Sequence, residues 1–306
     1  MLGRPAYIST GSATQLPADR SVEAFRDNTF RMLDAAVRSR IDWIDTARSY
    51  GRAEEFVGQW WRGRAAQDPD WAEQAPTISS KWGYRYVGGW DPRAEVNEVK
   101  EHSLAAFTEQ WELTRATLPR LHLYQVHSLT LDSPLFTDGP LLDALARVRD
   151  SGVAIGFSTS GARQGDIVER ALEVTRADAL LFSAVQATWN LLETSAGPAL
   201  QAASRRELTV IVKESLANGR LVTEPPDDLR AVCARTGAEP DAVALAAAAA
   251  QPWANRVLIG AAGVEQLAAN LRADQVELTA DDFALLAGCA EDPADYRAHR
   301  SGLPWH

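Results

Sequence analysis

Cysteine is nearly absent: the chain has two, Cys233 and Cys289, far apart and without CxxC spacing. Neither a disulfide framework nor a thiolate zinc site is expected, which suits a reducing cytosol. Positive charge is scarce as well, with 31 Lys and Arg against 41 Asp and Glu and a formal net charge of −10. That balance argues against nucleic acid or an anionic membrane as the main partner. Long apolar runs are missing. The richest, "AVALAAAAA" at 242–250, is too short to span a bilayer and reads as a buried helix. The opening "MLGRPAYIST" has no basic stretch leading into an apolar one, so no secretory signal is expected. A cytoplasmic protein follows. No GxGxxG follows a strand either, which excludes the usual open dinucleotide-binding sheet.

What is present is ample material for a core, with 46% of the 306 residues hydrophobic and 24% charged. Short strand-like runs alternate with helical stretches along the whole chain. The strand candidates are "AYIS", "IDWIDTA", "TISSKWG", "LHLYQVHS", "VAIGFSTS", "LLFSAVQAT", "LTVIVKES" and "RVLIGAA". They recur at intervals of roughly thirty residues, as βα units require. In "FRDNTFRMLDAAVRSR", Phe30, Leu33, Ala36 and Val37 form an apolar stripe at helical spacing. "PLLDALARVRDSG" is a second helix, closed by Gly152, and "VEQLAANLRAD" follows the last strand. Eight βα units predict an α/β protein with a closed parallel (β/α)8 TIM barrel. No linker or composition shift divides the chain, so residues 1–306 are expected to form a single domain. "PPDDLRAVCARTGAEP" and "TADDFALLAGC" read as extra helices, and "PADYRAHRSGLPWH" as an irregular tail. "KWGYRYVGGWDPRAEVNEVK" reads as a long loop, and long loops on a compact barrel are usually functional.

Polar residues at the C-terminal ends of barrel strands carry a functional expectation. "IDWIDTARSYG" ends strand two on Asp45 and leads to Tyr50; strand three ends on Lys81 and strand four on His127. A tyrosine is a poor acid near neutral pH, and a nearby ammonium favours its phenolate. A carboxylate paired with that lysine holds the ammonium charged and in place. An imidazole beside the phenol can orient a carbonyl oxygen by donating a hydrogen bond. The four together can protonate a carbonyl oxygen while hydride reaches its carbon. A structural ion pair between Asp45 and Lys81 is the plainer alternative.

These motifs carry a resemblance. "DTARSYG" resembles the D-T-A-x-x-Y-G signature of the aldo/keto reductase superfamily, "SSKWG" its lysine-bearing strand and "LYQVHS" its histidine-bearing strand. "GFSTSG", "VQATWNLLE", "ESLANGRL" and "LIGAAGVEQLAAN" are similar to further family segments in the right order. The resemblance implies a catalytic tetrad in which Tyr50 is the general acid, tuned by Lys81. Asp45 would anchor Lys81, and His127 would orient the substrate carbonyl.

The resemblance also implies a nicotinamide cofactor, NADP(H) slightly ahead of NAD(H). Ser158, Thr159 and Gln186 would hold its carboxamide, and Ser215, Leu216, Ala217 and Gly219 would wrap its pyrophosphate. Gly11 and Ser12 match the pair that closes strand one in the family. Gly260, Ala262, Gln266 and Asn270 fall on its cofactor loop. None of Gly260, Ala262 and Gln266 is basic, although the family commonly grips the 2′-phosphate from there with Lys or Arg; Arg272 is an alternative. Lys213 stands where many relatives have a tyrosine that stacks on the nicotinamide, which turns attention to Trp189.

For substrate, Trp82 and Trp305 are the expected pocket walls, with Tyr84, Tyr86, Trp90 and Tyr296 nearby in sequence. Such walls favour an apolar or ring-shaped small carbonyl compound. A cofactor-binding sensor of the same fold with little turnover is the alternative function. A metal-dependent barrel enzyme would need clustered ligands, and only His127, Asp45 and Glu214 qualify, on separate strands, so no metal is expected. Oligomeric state is not legible.

Overall fold

The predicted first strand "AYIS", together with Gly11, Ser12 and Trp305, lies outside the described residues, which are 2–5 and 16–303 of the computed structural model. Those residues form two compact units: 2–5 with Leu16–Ser158 and Glu173–Ser183, and Thr159–Leu172 with 184–303.

In the first unit, helix α1 (Val22–Arg38) starts where Ser21 accepts the Ala24 N–H, and it buries Phe25, Met32 and Leu33. Then come β1 (Trp43–Asp45), α2 (Ala53–Gln67), the short α3 (Trp71–Gln74) and β2 (Thr77–Trp82). Leu33, Val57, Trp60, Trp71, Ile78 and Leu118 make a shared core between these helices and the strands. A fully buried side chain of this kind contributes about 1.5–3 kcal/mol. The stretch expected to be a plain loop instead holds an antiparallel pair, β3 (Tyr84–Tyr86) and β4 (Glu98–Lys100). Tyr84, Arg85 and Tyr86 favour extended backbone, and Arg85 ties the hairpin to Glu101 at 2.9 Å and Glu109 at 2.8 Å. Next are α4 (Leu104–Thr117), capped by Ser103, β5 (Leu121–Leu129), α5 (Gly139–Asp150), capped by Asp138, and β6 (Ala154–Thr159). A two-residue hairpin joins β7 (Thr175–Arg176) and β8 (Ala179–Leu180). Ala177 and Asp178 at its tip have φ of 53° and 60°, as a type I′ turn requires.

The strands of this unit lie in the order β1-β2-β5-β6, and the β1–β2 and β2–β5 pairs are parallel. Register matters for the site: Asp45 pairs with Ser79 and Lys81 with Gln125. Because side chains alternate along a strand, Asp45, Ser79, Lys81, Gln125 and His127 share one face.

The second unit contains α6 (Gln164–Ala171), β9 (Ala184–Thr188), α7 (Gly197–Arg205), β10 (Thr209–Lys213) and the short α8 (Arg220–Thr223). After these come α9 (Asp227–Thr236), α10 (Pro240–Ala249), β11 (Arg256–Val257), α11 (Val264–Asn270), α12 (Ala280–Leu286) and α13 (Pro293–Ser301). Its strands run β9-β10-β11, all parallel. The Ala-rich helix is α10, buried from Ala242 through Ala248 as its composition requires. Both extra helices form, α12 with a reciprocal Thr279/Asp282 capping box. The tail expected to be irregular is helical over α13. Asp292 accepts the N–H groups of Ala294 and Asp295, and Pro293 supplies a first-turn φ that suits a helix.

Candidate active site

β1 is short, but its backbone keeps pairing with β2 beyond Asp45. Thr46 N–H donates to Ser79 O at 2.9 Å and Arg48 N–H to Lys81 O at 3.0 Å. The chain then turns sharply, with Tyr50 N–H on Ala47 O at 3.0 Å and Gly51 at φ 61°. This turn presents Tyr50 beside the ends of β2 and β5.

Lys81 is fully buried and forms an ion pair with Asp45. Its ammonium also donates to Thr46 O at 2.9 Å. The second oxygen of Asp45 accepts from Ser79 Oγ at 2.7 Å and Gln125 Nε2 at 3.1 Å. A buried ion pair holds its charge only when its remaining valences are satisfied, and these bonds do that. Lys81 Nζ lies 5.1 Å from the centre of the Tyr50 ring. The Tyr50 and His127 rings meet edge to face at 5.5 Å, and Ser49 Oγ faces His127 Nδ1 at 3.4 Å. The structure thus brings together all four predicted residues, Asp45, Tyr50, Lys81 and His127.

Two supporting groups were not foreseen. Glu54, from α2, is buried and pairs with Arg48 at 2.7 Å. Its carboxylate accepts from Ser80 Oγ at 2.5 Å and Thr114 Oγ1 at 3.0 Å, so it ties the Tyr50 turn to β2 and α4. Burial raises its pKa, with Arg48, the two hydroxyls and Lys81 opposing. His102 accepts from Ser133 Oγ at Nδ1, 2.8 Å, and donates from Nε2 to His127 O, 2.8 Å. A carbonyl can only accept, which assigns the proton to Nε2. Burial pushes this imidazole down to about 4, so it stays neutral and fixes the backbone that carries His127. Strand alternation is the signal for Gln125, two residues before His127. No local signal pointed to Glu54 or His102.

Ser158 accepts the Ser128 N–H at 2.8 Å and so steadies the residue after His127. In the second unit, Thr159 Oγ1 donates to Gln164 Oε1 at 2.8 Å, and the same oxygen accepts the Thr188 N–H at 2.9 Å. Gln186 is buried on β9. Lys213 Nζ donates to Thr188 Oγ1 at 2.8 Å and lies 3.5 Å from Glu214 Oε1. Arg300, from α13, also grips Glu214, at 2.7 Å, and Arg297 donates to Ser160 at 3.0 Å. Burial opposes the Glu214 charge, but Lys213, Arg300 and Arg297 prevail and hold it at about 2. Burial lowers Lys213, with the two arginines acting the same way and Glu214 opposing. Trp189, the alternative stacking partner, is buried edge-on against Trp253 at 5.8 Å.

The segment from Ser215 fits an anionic ligand in two respects. Ser215 Oγ is buried without a hydrogen-bond partner among the described residues, and Ala217, Asn218 and Gly219 all have left-handed φ. Leu216 leads into this turn as the residue before its short 3-10 helix. Gly260 is exposed, whereas Ala262 is buried and its N–H donates to Gln266 Oε1 at 2.8 Å. Asn270 donates to Asp241 at 2.9 Å, and Arg272 is exposed beyond α11. The Gln266 side chain therefore braces its own loop, and Asn270 ties α11 to α10.

Of the expected pocket walls, Trp82 is corrected. It has no exposed surface and packs on Phe107 at 5.0 Å and His102 at 5.8 Å, because it is the outward-facing neighbour of Lys81 on β2. Tyr84 is the ring that meets His127, at 5.0 Å. Trp90 packs edge-on against Phe25 and Phe56, and Tyr296 is buried with its hydroxyl accepting from Asn190 at 3.0 Å. Among the described residues no cluster of His, Cys, Asp and Glu could hold a metal ion, and no helix is long and apolar enough to cross a membrane.

Known proteins resemble this chain over most of its length. The sequence model of the Aldo/keto reductase family matches residues 17–291. An uncharacterized oxidoreductase, YqkF of Bacillus subtilis (strain 168), is 24% identical over 307 residues, spanning 90% of this chain and 92% of that protein. Among solved structures, the holo form of aldo-keto reductase AKR11C1 from Bacillus halodurans superposes with a TM-score of 0.70 at 21% identity, covering 93% of this chain and 92% of that one. Its apo form gives 0.64 at 18% identity, covering 90% and 89%. The likeness shows the (β/α)8 fold that the strand count predicted.

Proposed function

Because the chain belongs to the aldo/keto reductase family, and so to the NAD(P)-dependent oxidoreductases, we propose that it reduces an aldehyde or ketone to an alcohol with Tyr50 as the general acid. The observation that carries this reading is the buried Asp45–Lys81 pair set against the Tyr50 ring with His127 beside it. His127 orients the carbonyl oxygen toward the phenol. Tyr50 gives its proton to that oxygen, and the phenolate left behind faces the Lys81 ammonium. Asp45 keeps Lys81 charged, while Ser79 and Gln125 keep Asp45 in place. When bound, a reduced nicotinamide supplies the hydride that adds to the carbonyl carbon. In the oxidative direction Tyr50 takes the proton back.

The residues that would hold the cofactor are Ser158, Thr159, Gln186 and the segment Ser215–Gly219. The orphaned Ser215 hydroxyl and the left-handed turn after it support that assignment. NADP(H) stands ahead of NAD(H) by family habit, although Gln266 and Ala262 offer no cation to a 2′-phosphate. The Tyr84 and Tyr50 rings, each edge-on to His127, favour an apolar or ring-shaped carbonyl.

Titration of the protein with NADPH and NADH, followed by tryptophan fluorescence, tests cofactor binding. Turnover is then measured on a panel of aromatic aldehydes and ketones, with Tyr50→Phe as control. Tyr50→Phe is expected to bind cofactor normally and to lose at least roughly 10²-fold in kcat. Tight binding with no turnover by wild type would favour a sensor instead. Absence of binding by either cofactor would refute the assignment.

A further inference from the structure

The stretch Leu2–Pro5 is strapped across the turn that carries Tyr50. Thr29 Oγ1 donates to Leu2 O at 2.8 Å, Arg52 N–H to Gly3 O at 2.7 Å and Arg20 to Pro5 O at 3.0 Å. The approach is close enough to need glycine on both sides. A Cβ on Gly51 would stand 2.3 Å from Gly3 O, and one on Gly3 would stand 2.4 Å from Tyr50 O. This strap delivers Arg4, which is 5% exposed, onto the tyrosine: its Cζ lies 5.1 Å from the Tyr50 ring centre. Arg4 Nη1 also donates to Glu98 Oε1, on β4, at 2.9 Å.

Tyr50 therefore has two cations at the same distance, each held by a carboxylate from a different element. Lys81 of β2 is held by Asp45 of β1, and Arg4 of the N-terminal stretch by Glu98 of β4. His127 of β5 also lies edge-on to the ring. We propose that Arg4 is a second electrostatic positioning residue for Tyr50, acting with Lys81, and that Glu98 links its placement to the β3–β4 hairpin. The proposal rests on the role given to Tyr50 above. A phenolate spreads its charge into the ring, so a guanidinium over the ring favours the ionised form more than the neutral one. The proton donated to a carbonyl oxygen leaves more readily for the same reason. The hairpin that carries Glu98 also carries Tyr84, the ring facing His127, so one element would set both the substrate side and the acid.

The test is the near-ultraviolet absorbance of tyrosinate against pH, with Tyr50→Phe subtracted to isolate Tyr50. It needs neither cofactor nor substrate, so it can succeed where the reductase reading fails, and the reverse. In Arg4→Gln the Tyr50 signal is expected at higher pH than in wild type, and Arg4→Lys should restore most of the difference. Reductase kcat in Arg4→Gln should fall on the order of three- to tenfold with KM nearly unchanged. In Glu98→Gln, which keeps the guanidinium and removes its counter-charge, the signal should move to lower pH. A folded Arg4→Gln protein with the wild-type titration would overturn the proposal. If Arg4→Gln does not fold, an unmoved signal in Glu98→Gln overturns it equally.

Discussion

Each of the two units buries a glutamate beside its candidate functional residues, and the two carboxylates respond in opposite ways. Glu54, behind the Tyr50 turn, has one close cation, Arg48, and hydroxyl donors from Ser80 and Thr114. Burial prevails there and its pKa is raised. Glu214, at the end of β10, faces Lys213, Arg300 and Arg297, and is held at about 2 although its side chain too is largely buried. Desolvation acts on both, and the number of close cations sharing the carboxylate decides whether it wins. The first network is a brace in which each charge has one partner. The second is a cation-rich cluster with a single acid at its centre.

The sharpest way to break this comparison is to neutralise the centre of the cluster. Glu214→Gln leaves Lys213 and Arg300 facing each other without their counter-charge and should cost about 3–5 kcal/mol in urea denaturation near neutral pH. A cost below about 1 kcal/mol would mean that the cluster is solvated and the comparison false. Glu54→Gln keeps the hydrogen-bonding shape for Ser80 and Thr114 and strands only the partly exposed Arg48, so about 1–2 kcal/mol is expected. The same substitution should lower kcat, since Arg48 lies two residues before Tyr50. A larger stability loss at Glu54 than at Glu214 would reverse the ranking.

The pH dependences should differ in sign. Glu214 has a folded value below its ordinary 4.5, so it contributes stability that is present above 4.5 and lost as pH falls toward 2. Glu54 has a folded value above 4.5, so the folded state keeps its proton longer. Its contribution is full below 4.5 and declines as pH rises through the folded value. Urea midpoints of the two Gln variants relative to wild type, taken from acid to neutral pH, should therefore diverge in opposite directions. Parallel curves would show that one of the two environments is wrongly assigned.

The smallest effect concerns what each region offers a ligand. Gln266 braces Ala262 and carries no charge, so Gln266→Arg should improve NADPH binding over NADH by about tenfold through bidentate contact with a phosphate. Fluorescence titration with both cofactors checks it. An unchanged ratio would mean that the 2′-phosphate lies elsewhere.

Legibility in the sequence followed the range of the interactions. Asp45, Lys81 and His127 could be placed because strand alternation and chain order put them at strand ends, and Tyr50 because a glycine turn follows β1. The same alternation contained Gln125 and Ser79, which serve Asp45. It also implied that Trp82, next to Lys81, points to the opposite face, where it is core. The helix over the tail was signalled by Asp292 and Pro293, an N-cap followed by a first-turn proline. The hairpin after β2 was hidden because the connection between its strands, residues 87–97, is too long to read as a tight turn.

Sequence alone determined the alternation of the main strands and helices, the two extra helices and the four groups at the strand ends. All of these rest on periodicity and on residues within a few positions of one another. Tertiary structure decided what surrounds those groups. Arg4 meets Glu98 across 94 residues, Glu54 meets Thr114 across 60 and Arg300 meets Glu214 across 86. Electrostatic environment depends on distance in space and on burial, and neither is a property of neighbouring residues in the chain.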